Sequence, residues 1–475
     1  MFSPRTLTSS DAPAATTSVG DPETDGRFLS QAQCRALVDR IERLTTGGGI
    51  TRVAIDSAWI DNLRWARNVI ATGGDVQRSD LEIVRSIRRA NGRATTNSLT
   101  DDALQACVGW AEHLLTLQAE SPDDYPDSLP EVHPHARPLL WCDRTVTADD
   151  SGRATWVDAM IEPAASANCL SAGYLEVAAR GRAIITSQGL SRYYPYTTAQ
   201  CSVTVRDAKG RGSGWAGVDW NDVARIDTAR LAQTALDKCQ RSRNPVAVEP
   251  GRFTTILEPQ AVCDLVSMIL DRAMGRMDAE QGRGPFADPM RPGYSRIGQR
   301  VMDPRLTLSA DPMDPDCGFL PFDSRGEPYL ATRWIENGVL RDLAYDRRYG
   351  LTQLGKDAAL PNSGAFRLSG GSSTIEEMIA GTTRGVLVTR FNNMRLLDFN
   401  SMLMNGNTRD GFWLIERGQI TKAIKNFRFT ESPMFILNNL DTLGVPQRVF
   451  RPFAPAVVPP LKVRDFSFTG LVDAV

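Results

Sequence analysis

Apolar and polar positions recur along this chain with two periods, and the shift between them organises it. Ser30 and Gln33 form a capping box ahead of Cys34, Leu37, Val38, Ile41 and Leu44, which fall at helical spacing. Gly47, Gly48 and Gly49 end that helix. Residues 50–70 and 81–89 then read as strands, with Asn91-Gly92 as a turn. Thr100 opens a second helix, whose first-turn Asp101 and Asp102 favour the positive end of the helix dipole. Its apolar face is Ala103, Leu104, Cys107, Val108, Ala111, Leu114 and Leu115. Five prolines mark residues 121–140 as a linker. Short strands follow at 173–179, 183–186 and 201–206, and Asp227 caps a helix with Leu231, Ala232, Ala235, Leu236 and Cys239 on one face.

The second half changes character. One clear helix follows Glu258, with Pro259 in its first turn and Val262, Leu265, Val266, Ile269 and Leu270 inside. A short one follows Ser373, with Glu376 as its capping-box partner. Two segments share a hairpin pattern, Trp334-Ile-Glu-Asn-Gly-Val-Leu and Trp413-Leu-Ile-Glu-Arg-Gly-Gln-Ile. The fold class expected is α+β. Residues 1–26 form a disordered tail, and 27–240 an N-terminal unit of mostly antiparallel strands with helices on one face. Residues 241–475 form a β-rich C-terminal domain.

Composition adds little beyond a globular chain. Of 475 residues, 42% are hydrophobic and the formal net charge is −2, so no strongly charged partner is implied. The eight cysteines form no C-x-x-C pair, which speaks against a zinc ribbon or a disulfide framework. No secretory signal and no membrane-length apolar run is present, so a cytoplasmic, soluble protein is expected.

Candidate chemistry is sparse. There are three histidines: His113 beside a helix face, and His133 and His135 in the proline-rich linker. Neither a histidine-ligated zinc site nor a Ser-His-Asp arrangement is signalled. Gly212-Ser-Gly-Trp-Ala-Gly217 matches a dinucleotide-binding pattern, but no helix opens from it, so it reads as a turn feeding an outer strand. Arg85, Arg88, Arg89 and Arg93 alternate like the solvated face of a strand and lack interleaved aromatics, which argues against nucleic acid. The carboxylates of 311–316 and 323–327 read as loops.

A resemblance sharpens the picture. Arg252-Phe-Thr-Thr-Ile-Leu-Glu-Pro-Gln-Ala-Val-Cys-Asp-Leu resembles the start of the central helix of the TldD/PmbA family, the modulators of DNA gyrase. Phe322-Asp-Ser-Arg-Gly-Glu-Pro, the Trp334 hairpin, Gly370-Gly-Ser-Ser-Thr-Ile-Glu-Glu-Met-Ile and the Thr408–Gly418 segment resemble further family pieces in the same order. The resemblance implies a metallopeptidase-like C-terminal domain. The family's active branch holds zinc through His-Glu-x-x-x-His, with the glutamate activating water. Here Pro259, Gln260 and Asp264 stand at the motif's His, Glu and His, and no cysteine follows Cys317 to serve as the further ligand. The pattern is that of the PmbA/TldE branch. It implies no catalytic residue and no metal in this chain, with zinc only in a TldD-like partner that handles unfolded peptides. A homodimeric peptide-binding protein and a gyrase- or DNA-associated modulator are the alternatives.

Overall fold

A computed structural model describes residues 26–88, 90–117, 136–148 and 150–472. The expected tail, most of the proline-rich linker, His133, His135 and Arg89 lie outside the described residues.

The first sheet is wholly antiparallel and comes entirely from the first half of the chain. Its strands are β1 (Ile50–Ala66), β2 (Val69–Ile87), β3 (Ala90–Thr96), β4 (Cys169–Thr186), β5 (Ser191–Asp207) and β6 (Ser213–Trp220), in the order β3-β2-β1-β4-β5-β6. Helices α1 (Gln31–Leu44), α2 (Asp101–Leu117), α3 (Asp143–Val146), α4 (Asp150–Ser166) and α5 (Thr228–Arg241) accompany it. Residues of α1 and α2 pack on Val53, Ile55, Leu81 and Ile83. Residues of α4 and α5 pack on Leu175, Val177, Cys201 and Val203. These positions alternate along their strands, so one face is apolar and covered. The opposite face carries Asp56, Arg180, Arg182 and Tyr196.

The capping box of Ser30 and Gln33 and the cap by Asp227 are present as expected. Several strand boundaries differ from expectation. Residues 50–70 are not one strand: Arg67 and Asn68, at φ 52° and 65°, form the turn between β1 and β2. Asn91-Gly92 is no turn either, since the two residues pair with Ser86 and Arg85 inside β3. Gly92 serves close approach instead, because a Cβ there would lie 1.8 Å from the Ala111 carbonyl oxygen of α2. The segments 173–179 and 183–186 join in one long β4 through residues 180–182. Helix α4 was not foreseen, since it contains Pro163 and lacks an amphipathic period. Arg85 is not solvated; it is buried and donates to Thr51 Oγ1 and to the Thr46 and Gly48 carbonyls. Leu114 stands exposed on α2.

The second half contributes two more sheets around α6 (Pro259–Ala273). With β7 (Arg252–Leu257), the remaining strands are β8 (Leu308–Ala310), β9 (Thr332–Glu336), β10 (Val339–Leu340), β11 (Phe366–Leu368), β12 (Arg384–Asp398), β13 (Leu403–Glu416), β14 (Gln419–Ala423), β15 (Phe427–Glu431), β16 (Leu440–Leu443), β17 (Gln447–Val449), β18 (Ala456–Val458) and β19 (Leu461–Leu471). One sheet runs β10-β9-β8-β11-β18-β17. The other runs β12-β7-β19-β15-β13-β14, and pairing of β12 with β13 closes it on itself. Both expected hairpins form, with Asn337-Gly338 and Arg417-Gly418 at positive φ in their turns. The capping box at 374–377 uses Thr374 and Glu377, one residue beyond the Ser373–Glu376 pair expected. Helix α6 buries Val262, Leu265, Val266, Ile269 and Leu270 among residues of both sheets.

The halves meet on the charged face of the first sheet. Phe322 is fully buried beside Ile184 and Leu190, and Arg52 donates to the Ser324 carbonyl at 2.8 Å. Two glycine substitutions test this packing with opposite signs. Gly92→Ala should cost about 1–3 kcal/mol or more by overpacking α2. Gly109→Ala, in open space on α2, should stabilise by about 0.5–1 kcal/mol. Chemical denaturation of the two variants measures both.

Candidate functional site

The candidate site is the start of α6. Glu258 is its N-cap, and Pro259 fills the first helical position, where a missing N–H costs nothing. The Glu258 N–H bonds Val388 O at 2.9 Å, and its carboxylate pairs with Lys238 of α5 at 2.5 Å. The helix start is therefore held by both halves of the chain.

Gln260 projects toward the segment after β17. Its Nε2 donates to the Phe450 carbonyl at 3.2 Å, and its Oε1 accepts the Phe450 N–H at 3.2 Å. The same Nε2 donates to Asp264 Oδ1 at 3.0 Å. The other oxygen of Asp264 accepts the Phe391 N–H at 2.9 Å. Burial outweighs these bonds and the nearby Arg390 charge, and lifts the Asp264 carboxyl to about 6. Cys263, between them in sequence, is pushed up to about 12 by burial and then by the Asp264 charge, so it stays a neutral thiol.

Around this knot lie charged and aromatic groups from distant segments. Arg390 pairs with buried Asp410 at 2.6 Å and lies over the Trp215 ring, which meets Phe450 edge-on. Asp219 of β6 accepts the Arg451 N–H and the Arg448 guanidinium, each at 2.6 Å. Arg451 reaches on to Asp271 of α6 at 2.8 Å. Beyond Asp219 and Arg448 opens a cavity of about 470 Å³ against the charged face of the first sheet. Pro259, Gln260 and Asp264 do not line it.

Residues 250–470 match the family model of the PmbA/TldA metallopeptidase C-terminal domain. Residues 250–470 are thus a domain of the TldD/PmbA family. No curated protein sequence matches the chain. Its fold is similar to that of TldE from Thermococcus kodakarensis, at a TM-score of 0.80 and 17% identity over 92% of this chain and 100% of that one. A protein of Thermotoga maritima, provisionally named a modulator of a DNA gyrase, aligns at a TM-score of 0.78 and 15% identity over 92% and 100% of the two chains. One of the same description from Bacteroides thetaiotaomicron aligns at 0.77 and 16% identity, over 93% and 100%.

In this family domain, the three positions do not fit a zinc ion. Pro259 has no donor atom. The Gln260 amide is neutral, and Phe450 and Asp264 take both of its donors and one lone pair of its oxygen. Asp264 is one carboxylate with a protein donor on each oxygen. Among the described residues, no three His, Cys, Asp or Glu side chains converge as a metal-binding group. Sequence reasoning named Gln260 and Asp264 but missed their partners, Phe450 and Phe391, which lie 190 and 127 residues away. The glycine-rich 212–217 run is the edge strand β6, and Gly214 lets α5 approach, since its Cβ would meet Ala235 O at 2.1 Å.

The raised Asp264 pKa carries a pH dependence. A carboxyl whose folded pKa lies above its unfolded value stabilises fully at low pH and loses that contribution as pH rises through about 6. Asp264→Asn should therefore gain on the wild type by up to about 3 kcal/mol between pH 4 and 7.5. Denaturant unfolding across that range measures it, and parallel pH profiles of the two proteins would count against the buried carboxylate.

Proposed function

We propose that this chain is a non-catalytic, TldE-like subunit that completes the peptide chamber of a TldD-type zinc peptidase. The observation that carries the reading is the commitment of Gln260. Where the active branch needs a glutamate base, a neutral amide, far too weakly basic to take a proton from water, holds the Phe450 main chain in both directions. Pro259 and Asp264, at the positions of the two histidines, supply one carboxylate between them. The surrounding family features persist, so the scaffold is kept while the chemistry belongs to the partner. Substrates of the complex are unfolded peptides.

All eight cysteines are free and seven are buried, which suits a reducing cytoplasm. Among the described residues, no helix is long and apolar enough to cross a membrane.

Co-expression with a TldD-type subunit carrying His-Glu-x-x-x-His tests the reading. A stable hetero-oligomer is expected, with zinc-dependent cleavage of an unstructured peptide that needs both chains. Cleavage by this chain alone would sink the proposal. A stable homodimer that ignores the zinc subunit would favour the peptide-binding alternative instead.

A further inference from the structure

The cavity beyond Asp219 has a floor, a wall and a strained residue at its side. Its floor is the charged face of the first sheet. Directly opposed residues form one row Arg78–Ala58–Arg180–Tyr196 across β2, β1, β4 and β5, and a second row Asp80–Asp56–Arg182–Tyr194. Opposed residues point to one face, so the short Ala58 methyl leaves a hollow flanked by two guanidinium side chains.

The arginines differ in how fully they are engaged. Arg182 binds Asp56 through two bonds, at 2.6 and 3.0 Å. Arg180 gives Nε to Thr198 and one Nη to Glu176, leaving its other Nη for a ligand. Arg78 only approaches Asp80, at 3.6 Å, with both side chains more than half exposed, a pairing that solvent weakens. The hollow thus offers guanidinium donors to an anion.

The wall is apolar and comes from the second half: Phe319, Leu320, Pro452, Phe453 and Pro455. Phe453 is the unusual member. Its φ is +70°, a conformation that bulky residues avoid, yet 66% of it is exposed and its ring lies over Arg180 at 5.1 Å. The flanking chain forces this shape, because Arg451 is tied to Asp219, Asp271 and the Ala454 carbonyl. Burial within this chain returns little for that strain. Strain held beside a cavity is characteristic of ligand clamps.

We propose that this cavity binds the free C-terminal end of a peptide whose last residue is apolar. The carboxylate sits over Ala58 between Arg78 and Arg180, where guanidinium groups suit its geometry. The last side chain lies against Phe319 and Phe453. A cavity of about 470 Å³ exceeds what one ring and one carboxylate fill, and Thr198, Gln200 and Asn221 along it offer partners for peptide amides. The site belongs to this chain alone and does not depend on a zinc-bearing partner.

Calorimetric titration of the purified full chain tests it with three probes: N-acetyl-Ala-Ala-Phe as the free acid, the same peptide as its C-terminal amide, and 3-phenylpropionate. The free acid should bind saturably, with the amide and phenylpropionate each weaker by about tenfold or more. Arg78→Ala should weaken the free acid by about tenfold. Phe453→Gly should also weaken it while leaving Tm unchanged or higher, because glycine accepts a φ of +70°. That variant separates binding from folding. Equal binding of acid and amide, equal binding of phenylpropionate, or no saturable binding of the acid at millimolar concentration would overturn the proposal.

Discussion

The two-way hydrogen bonding between the Gln260 side chain and the Phe450 main chain is the contact on which this region depends. A side-chain amide can satisfy a main-chain N–H and C=O together, as a neighbouring strand would, whereas an ionised glutamate only accepts. Through it, the central helix fixes the segment that follows β17. That segment then delivers the Arg451 N–H to Asp219 of the first sheet, beside Arg448 of β17, and places Phe453 over Arg180. One interaction at the helix start therefore sets the junction of the two halves and the shape of the cavity between them.

The groups around it are also committed to structure. A buried carboxylate beside an amide takes a main-chain N–H from β12, so its lone pairs serve the fold. The neighbouring thiol is held neutral by the same burial. Proline at the first helical position stiffens the helix start without offering a ligand atom. Each of these residues is locally consistent with a stable helix terminus.

Much of the scaffold was legible because its signals are local. The capping box at Ser30, the Asp227 cap, the amphipathic faces of α1, α2 and α5, and the Asn-Gly and Arg-Gly hairpins each reside within a dozen residues. The failures also share a cause. Asn91-Gly92 looks like a turn, but its glycine answers to a helix packed above it; Arg67-Asn68 turns the chain with no glycine. Arg85 reads as surface, yet distant carbonyls at Thr46 and Gly48 pay for its burial. At the candidate site, the helix positions could be named from sequence, whereas Phe450, Phe391, Asp219 and the arginine rows of the sheet come from segments with no local signature.

The idea that this chain has given up metal chemistry is most directly tested by its zinc content. The purified full-length chain would be equilibrated with zinc, separated from free metal and analysed by inductively coupled plasma mass spectrometry. With the Gln260 amide committed to Phe450 and Asp264 and a single carboxylate at hand, zinc should be retained far below one ion per chain. One tightly held zinc per chain, lost on Asp264→Ala, would contradict a delegated chemistry.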